Sequence, residues 1–184
     1  ISSAYAAHVA RRGAEYGFAV GGEVRVDMKR VKARKDEIAG RSNKGVEEML
    51  RGHKNCTVIQ GHARFDSTRT VRVNDDILES DKIFINVGGR ASVPSIQGIH
   101  DVPFLTNSSM MEVDFIPKHL VVVGGSYVGL EFAQMYRRFG SEVTVVEMGP
   151  RLIGREDEDV SAAVREIVET EGIGVNLNAK CISV

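Results

Sequence analysis

Leu120-Val121-Val122-Val123-Gly124-Gly125-Ser126-Tyr127-Val128-Gly129-Leu130-Glu131 is followed by an amphipathic stretch to Phe139 and a closing Gly140, and then by Val143-Thr144-Val145-Val146-Glu147. The order is strand, glycine turn, helix, strand, acid. Gly124 is expected to turn the chain off the first strand at a point where a Cβ would collide. The helix after it aims unpaired N–H groups and its positive dipole end at the turn, an arrangement that suits a pyrophosphate. Gly129, one helical turn in, lets helix and strand approach closely. Glu147, about 20 residues on, stands where a carboxylate accepts hydrogen bonds from a ribose diol. These features together make a dinucleotide-binding βαβ unit, with a merely structural glycine turn as the plainer alternative. Ser126 occupies the middle position of the glycine triplet. Its hydroxyl can donate to a phosphate oxygen, while its Cβ can push a ligand outward.

Composition narrows the partners. The 184 residues hold 24 basic and 25 acidic side chains, a net charge of −1, so nothing in the charge points to nucleic acid or an anionic membrane. With 42% hydrophobic and 27% charged residues the chain reads as soluble and globular. No apolar run approaches the roughly 18 residues of a membrane span, and the first residues lack the basic flank and apolar core of a leader. The expected location is the cytoplasm. The sequence opens at Ile1 inside a helical pattern and closes inside an apparent strand, Cys181–Val184. That suggests a piece of a longer protein, with sheet edge and apolar face left uncovered.

Elsewhere, residues 2–15 read as a helix ending before Gly17. Asp27 is an N-cap candidate for a long charged helix, Met28–Arg51, whose Lys29, Arg30, Lys32, Arg34 and Lys35 belong to a solvated face balanced by Asp36, Glu37, Glu47 and Glu48. After Gly52 the period changes to two. Thr57–Gln60, His62–Phe65 and Thr70–Val73 read as short antiparallel strands, Asn74-Asp75-Asp76 as a turn, and Lys82–Val87 as a buried strand ending at Gly88-Gly89. A short helix near Ser108–Val113 leads into the βαβ unit. An acidic helix, Glu156–Glu171, closed by Gly172, and a strand at Val175–Leu177 follow it. The five histidines form no ligand pattern. Cys56 and Cys181 have no motif spacing and read as small buried hydrophobes.

The helix pair, the meander, Ile83-Phe84-Ile85-Asn86-Val87-Gly88-Gly89-Arg90 and the glycine turn with Leu130, Glu131 and Phe132 together resemble the pyridine nucleotide–disulfide oxidoreductases, most of all the mercuric reductase and dihydrolipoamide dehydrogenase group. The resemblance covers essentially the whole chain. It implies an α/β architecture, in which a Rossmann-like βαβ dinucleotide-binding unit joins part of an FAD-binding domain that carries a three-stranded antiparallel meander. Residues 1–104 resemble the later part of the FAD domain and residues 105–184 the opening of the NAD(P) domain. The family's Ala-Thr-Gly turn beside FAD corresponds to Asn86-Val87-Gly88, in which only the glycine is identical. Gly61-His62-Ala63 falls where the family's backbone holds the adenine end of FAD. Tyr127 falls where some members shield the flavin, and Glu131 where an acid helps hold the nicotinamide half.

Plainer readings stand beside these. Gly88-Gly89 can simply end a strand, His62 can contribute only its backbone, Tyr127 can pack at the helix start, and Glu131 suits any first helical turn. The family's first glycine-rich FAD motif, its Cys-x4-Cys pair and its C-terminal His-Glu pair have no counterpart in these residues. The chain alone is therefore expected neither to turn over nor to hold flavin. The resemblance implies FAD and a nicotinamide dinucleotide as cofactors, a homodimer as the full-length parent, and hydride passing from NAD(P)H through flavin to a disulfide or other acceptor. The alternative is a flavin-linked redox sensor without disulfide chemistry. Glu147 favours NAD, while Arg151 and Arg155 in the following loop, one of them expected to pair with Glu156 or Asp157, leave NADP open.

Overall fold

In a computed structural model covering all 184 residues, the chain packs as two units, residues 1–34 with 91–184 and residues 35–90. Its helices are α1 (Ser2–Arg11), α2 (Met28–Gly52), α3 (Asn107–Met110), α4 (Tyr127–Phe139) and α5 (Glu158–Thr170), with a 3₁₀ turn at Gly13–Tyr16. The strands are β1 (Ala63–Phe65), β2 (Thr70–Val73), β3 (Asp76–Glu79), β4 (His119–Val123), β5 (Glu142–Val146) and β6 (Gly174–Asn176). None of the helices is long and apolar enough to cross a membrane.

The first unit is built on a parallel sheet in the order β4-β5-β6, with Val123 opposite Val146 and Val146 opposite Asn176. Leu130, Ala133, Tyr136 and Phe139 recur at helical spacing on α4 and are all buried, with Val143 and Val145 of β5 in the same core. The Tyr136 ring meets Phe139 edge-on at 5.7 Å, a geometry that adds to simple area burial. Ala4 of α1 and Met28 of α2 join this core. Val121 and Val123, which alternate with the half-buried Leu120 and Val122 on β4, stay exposed.

Ionic ties close the far end of α4. The Glu171 carboxylate takes a two-pronged hydrogen bond from Arg138, Nε at 2.7 Å and Nη2 at 2.6 Å, and a third from Gln134 at 2.8 Å. Arg137 donates to the Glu171 carbonyl at 2.8 Å. Both charged partners are only 15% exposed. Burial pushes the Glu171 carboxyl up, but Arg138, His8 and Gln134 together hold it below its ordinary value. His8 is lowered by burial first and then by Arg138 and Arg12, against the opposing pull of Glu171 and Glu15.

Both shifts have one sign. A depressed carboxyl contributes stability above its unfolded value near 4.5, lost as pH falls through the folded value. A depressed imidazole costs nothing above about 6.5 and draws stability away as pH falls below it. Urea midpoints should therefore decline from pH 7 toward pH 4. Glu171→Gln should lose about 2–3 kcal/mol at pH 7, because it leaves Arg138 unpaired, and should flatten the acid limb. An unchanged acid limb in that variant would show that other carboxylates carry the dependence.

The second unit holds the antiparallel sheet β1-β2-β3, in which Phe65 pairs with Val71 and Val73 with Asp76. Asn74 adopts φ 55°, a left-handed conformation that asparagine tolerates in tight turns. At the start of α2, within the first unit, Asp27 Oδ1 accepts the Arg30 N–H at 3.1 Å, the expected cap.

Several sequence expectations need correction. Three strands are present, but the third is β3, not Thr57–Gln60, which forms no ladder. Lys82–Val87 is neither a strand nor buried, with Phe84 90% and Val87 87% exposed. No strand lies alongside it, and residues 83–89 make no backbone hydrogen bond, so apolar content alone could not make a ladder there. The first helix stops at Arg11 and continues as the 3₁₀ turn, closed by Gly17 at φ 80°. Cys181–Val184 contributes a single bridge, Ser183 to Gln97. Cys56 and Cys181 are free and only half-buried.

Candidate dinucleotide-binding site

The glycine turn, the start of α4 and the end of β5 meet at the C-terminal end of the parallel strands. Gly124 takes φ 108°, and its N–H still bonds the Val146 carbonyl at 2.9 Å. A Cβ there would touch nothing within 4 Å. Contrary to the sequence expectation, the glycine is required by backbone conformation rather than by a collision. Collision governs its neighbours instead. A Cβ on Gly125 would lie 2.6 Å from Leu152 Cδ2 and 3.1 Å from Glu147 Cβ. One on Gly129 would overlap the Gly124 carbonyl oxygen and sit 3.1 Å from Val122 Cγ1, which is the close helix–strand approach expected of it.

Glu147 fastens the turn. One carboxylate oxygen accepts the Gly125 N–H at 2.6 Å and the other accepts the Gly149 N–H at 2.6 Å. Each oxygen keeps a second lone pair for a further donor. Past Gly125 the donors are unspent: the first helical bond runs from Leu130 N–H to the Ser126 carbonyl at 3.0 Å, and no side chain caps α4. The N–H groups of Ser126, Tyr127, Val128 and Gly129 are thus left to an outside acceptor, at the positive end of a 13-residue helix. Ser126 is exposed in ordinary extended geometry, φ −89°, so a serine is accommodated there without strain. Tyr127 is 70% exposed and Glu131 is exposed on the same helix.

Beside Glu147 opens a cleft of about 730 Å³ whose lining includes Pro150, Arg151, Leu152, Glu158 and Arg165. Arg151 pairs with Glu158 at 2.9 Å, not with the expected Glu156 or Asp157. Sequence reasoning missed Gly149 and Leu152. Leu152 is fully buried under the turn, its carbonyl accepts the Ser161 hydroxyl at 2.7 Å, and the next N–H, of Ile153, bonds the Gly125 carbonyl at 2.9 Å. The visible signal was a glycine two residues after a strand-end acid.

The other expected contacts lie in the second unit. Gly61 has no room for a side chain, since a Cβ would meet Val73 Cγ1 at 2.7 Å. His62 and Ala63 are exposed at the start of β1. Val87, Gly88 and Gly89 are exposed, with Gly88 at φ 69° and open space where a Cβ would stand. Unpaired backbone of this kind is available to a ligand.

Comparison with known proteins decides the family. The sequence profile described as pyridine nucleotide-disulphide oxidoreductase matches residues 4–184. The chain belongs to this family. It is 35% identical over 158 residues to the probable pyridine nucleotide-disulfide oxidoreductase RclA of Escherichia coli (strain K12), covering 83% of the chain and 36% of the relative. A dihydrolipoyl dehydrogenase of Thermus scotoductus is 34% identical over 174 residues, covering 93% and 37%, and a mercuric reductase of Lysinibacillus sphaericus 30% over 150, covering 82% and 28%. Among solved structures, the Cu(II) complex of the HOCl-induced flavoprotein disulfide reductase RclA from Escherichia coli superimposes with a TM-score of 0.79 at 31% identity, over 96% of this chain and 38% of that one. The chain thus spans about a third of the length of these oxidoreductases. Its antiparallel meander and parallel sheet match the oxidoreductase fold.

Proposed function

We propose that residues 105–184 bind a nicotinamide dinucleotide, with NAD preferred over NADP, and that residues 1–104 form the later part of an FAD site. The whole protein would pass hydride from NAD(P)H through flavin to a disulfide or other acceptor, and work as a homodimer. The observation that carries the reading is the Glu147 carboxylate at the strand end, fastened to Gly125 and Gly149. A division by cofactor at residue 104 differs from the division by packing at residues 35 and 90, because ligand contact and side-chain packing are separate properties.

The residues fit the nucleotide. The free N–H groups from Ser126 to Gly129 would hold the pyrophosphate, with the Ser126 hydroxyl as an added donor. Glu147 would accept from the ribose 2′-hydroxyl and repel a 2′-phosphate. Tyr127 and Glu131, exposed along α4, would serve as nicotinamide-side contacts. Gly61, His62, Ala63, Val87, Gly88 and Gly89 would offer backbone groups to FAD. When bound, the nicotinamide supplies the hydride and the flavin relays it; the 184 residues alone, lacking a redox cysteine pair, would be inactive.

The test is NAD⁺ against NADP⁺ affinity of the 184-residue chain by titration calorimetry. Wild type should favour NAD⁺, and Glu147→Gln should narrow the preference by about 1–2 kcal/mol, the worth of a hydrogen bond to a charged group. An NADP⁺ preference in wild type, lost in Arg151→Ala, would overturn this reading of Glu147.

A further inference from the structure

The cleft beside Glu147 contains two guanidinium groups, and each is held differently. Arg165 projects from α5 and bonds Glu169 one turn on, at 2.9 Å. Arg151 lies in the loop four residues after Glu147, and two acceptors fix it: Glu158 Oε1 at 2.9 Å from Nη1, and the Gly154 carbonyl at 3.3 Å from Nη2. Glu158 is the first residue of α5, whereas Arg151 lies in the loop before that helix. Of the two acceptors, Glu158 alone is charged and makes the shorter bond.

We infer that Glu158 is a positioning residue for cofactor choice: it latches Arg151 in the loop and withholds it from a 2′-phosphate at the Glu147 ribose site. This inference rests on the dinucleotide reading of Glu147. While latched, the Arg151 guanidinium has its charge matched and both Nη groups engaged, so it offers no free fork to a phosphate monoester entering beside the Glu147 carboxylate. Without Glu158, Arg151 keeps only the long bond to Gly154 and can turn to offer its fork to the phosphate, the geometry arginine favours. Arg155, four residues further along the loop, makes no ion pair but is not among the residues that line the cleft. The Glu158 carboxylate is 90% exposed, so the latch is a weak surface pair and its effect on discrimination is bounded.

Affinities of the 184-residue chain for ADP-ribose and for 2′-phospho-ADP-ribose, measured in wild type, Glu158→Gln, Arg151→Ala and the double variant, test this. Glu158→Gln should strengthen binding of the phosphorylated probe by about two- to fivefold, the range of an exposed pair, and leave ADP-ribose unchanged. The gain should vanish when Arg151→Ala is added. A gain that persists in the double variant would overturn the latch, since removal of a negative charge alone would then explain it. So would the absence of any gain while wild type binds ADP-ribose. If wild type binds neither probe, the dinucleotide reading itself fails and the latch falls with it.

Discussion

Gly129→Val is expected to destabilise the chain by about 2–4 kcal/mol and to remove nucleotide binding with it. The new Cβ would enter the Gly124 carbonyl oxygen and crowd Val122 Cγ1. The first is backbone and cannot rotate aside. Relief requires α4 to move off β4, and that movement opens the core around Leu130 and Ala133. The gain in helix propensity on leaving glycine is under about 1 kcal/mol and does not offset it. Chemical denaturation gives the loss directly. Wild-type stability in this variant would mean that helix and strand tolerate separation and that the close approach is incidental.

Leu152→Ala should cost about 2–5 kcal/mol, the range for deleting a fully buried leucine. Its consequence reaches the site as well as the core. Leu152 fills the space under Gly125, while its carbonyl holds Ser161 and its neighbour Ile153 bonds the Gly125 carbonyl. A cavity there loosens the turn that presents Gly125 to Glu147. Affinity for ADP-ribose should therefore fall in conditions where the variant remains folded. Lost stability with unchanged affinity would show that the Glu147 bonds alone hold the turn.

The βαβ unit was legible because its signals are local. Four aliphatic residues, a glycine, an amphipathic helix with Gly140 behind it and a strand ending on an acid each act within a few positions, and β4, α4 and β5 appear where they were expected. The reasons for individual glycines were less legible. Gly124 and Gly129 share one motif, yet one answers to a positive φ and the other to packing. Gly125 is constrained by Leu152, a partner 27 positions away that only the folded chain supplies.

Strands that depend on partners were harder to read. Ile83-Phe84-Ile85 has the composition of a strand but no ladder beside it. Asp76–Glu79 has two acids among its four residues and yet pairs along its length with β2, because a tight turn at Asn74 delivers it there. Arg151 pairs with Glu158, the first residue of α5, rather than with the nearer Glu156 or Asp157, a choice that sequence spacing alone does not reveal. The flavin-side residues were named through family likeness, and the physical features found for them are exposure at His62, Ala63 and Val87–Gly89 and unpaired backbone at Val87–Gly89.

A crystal structure of the 184-residue chain soaked or grown with ADP-ribose tests the central claim most directly. The ribose diol should lie within hydrogen-bonding distance of Glu147, with the Gly125 and Gly149 bonds retained, and the pyrophosphate should rest on the N–H groups from Ser126 to Gly129. Nucleotide bound at another surface, or a ribose turned away from Glu147 with its phosphates off the α4 terminus, would contradict it.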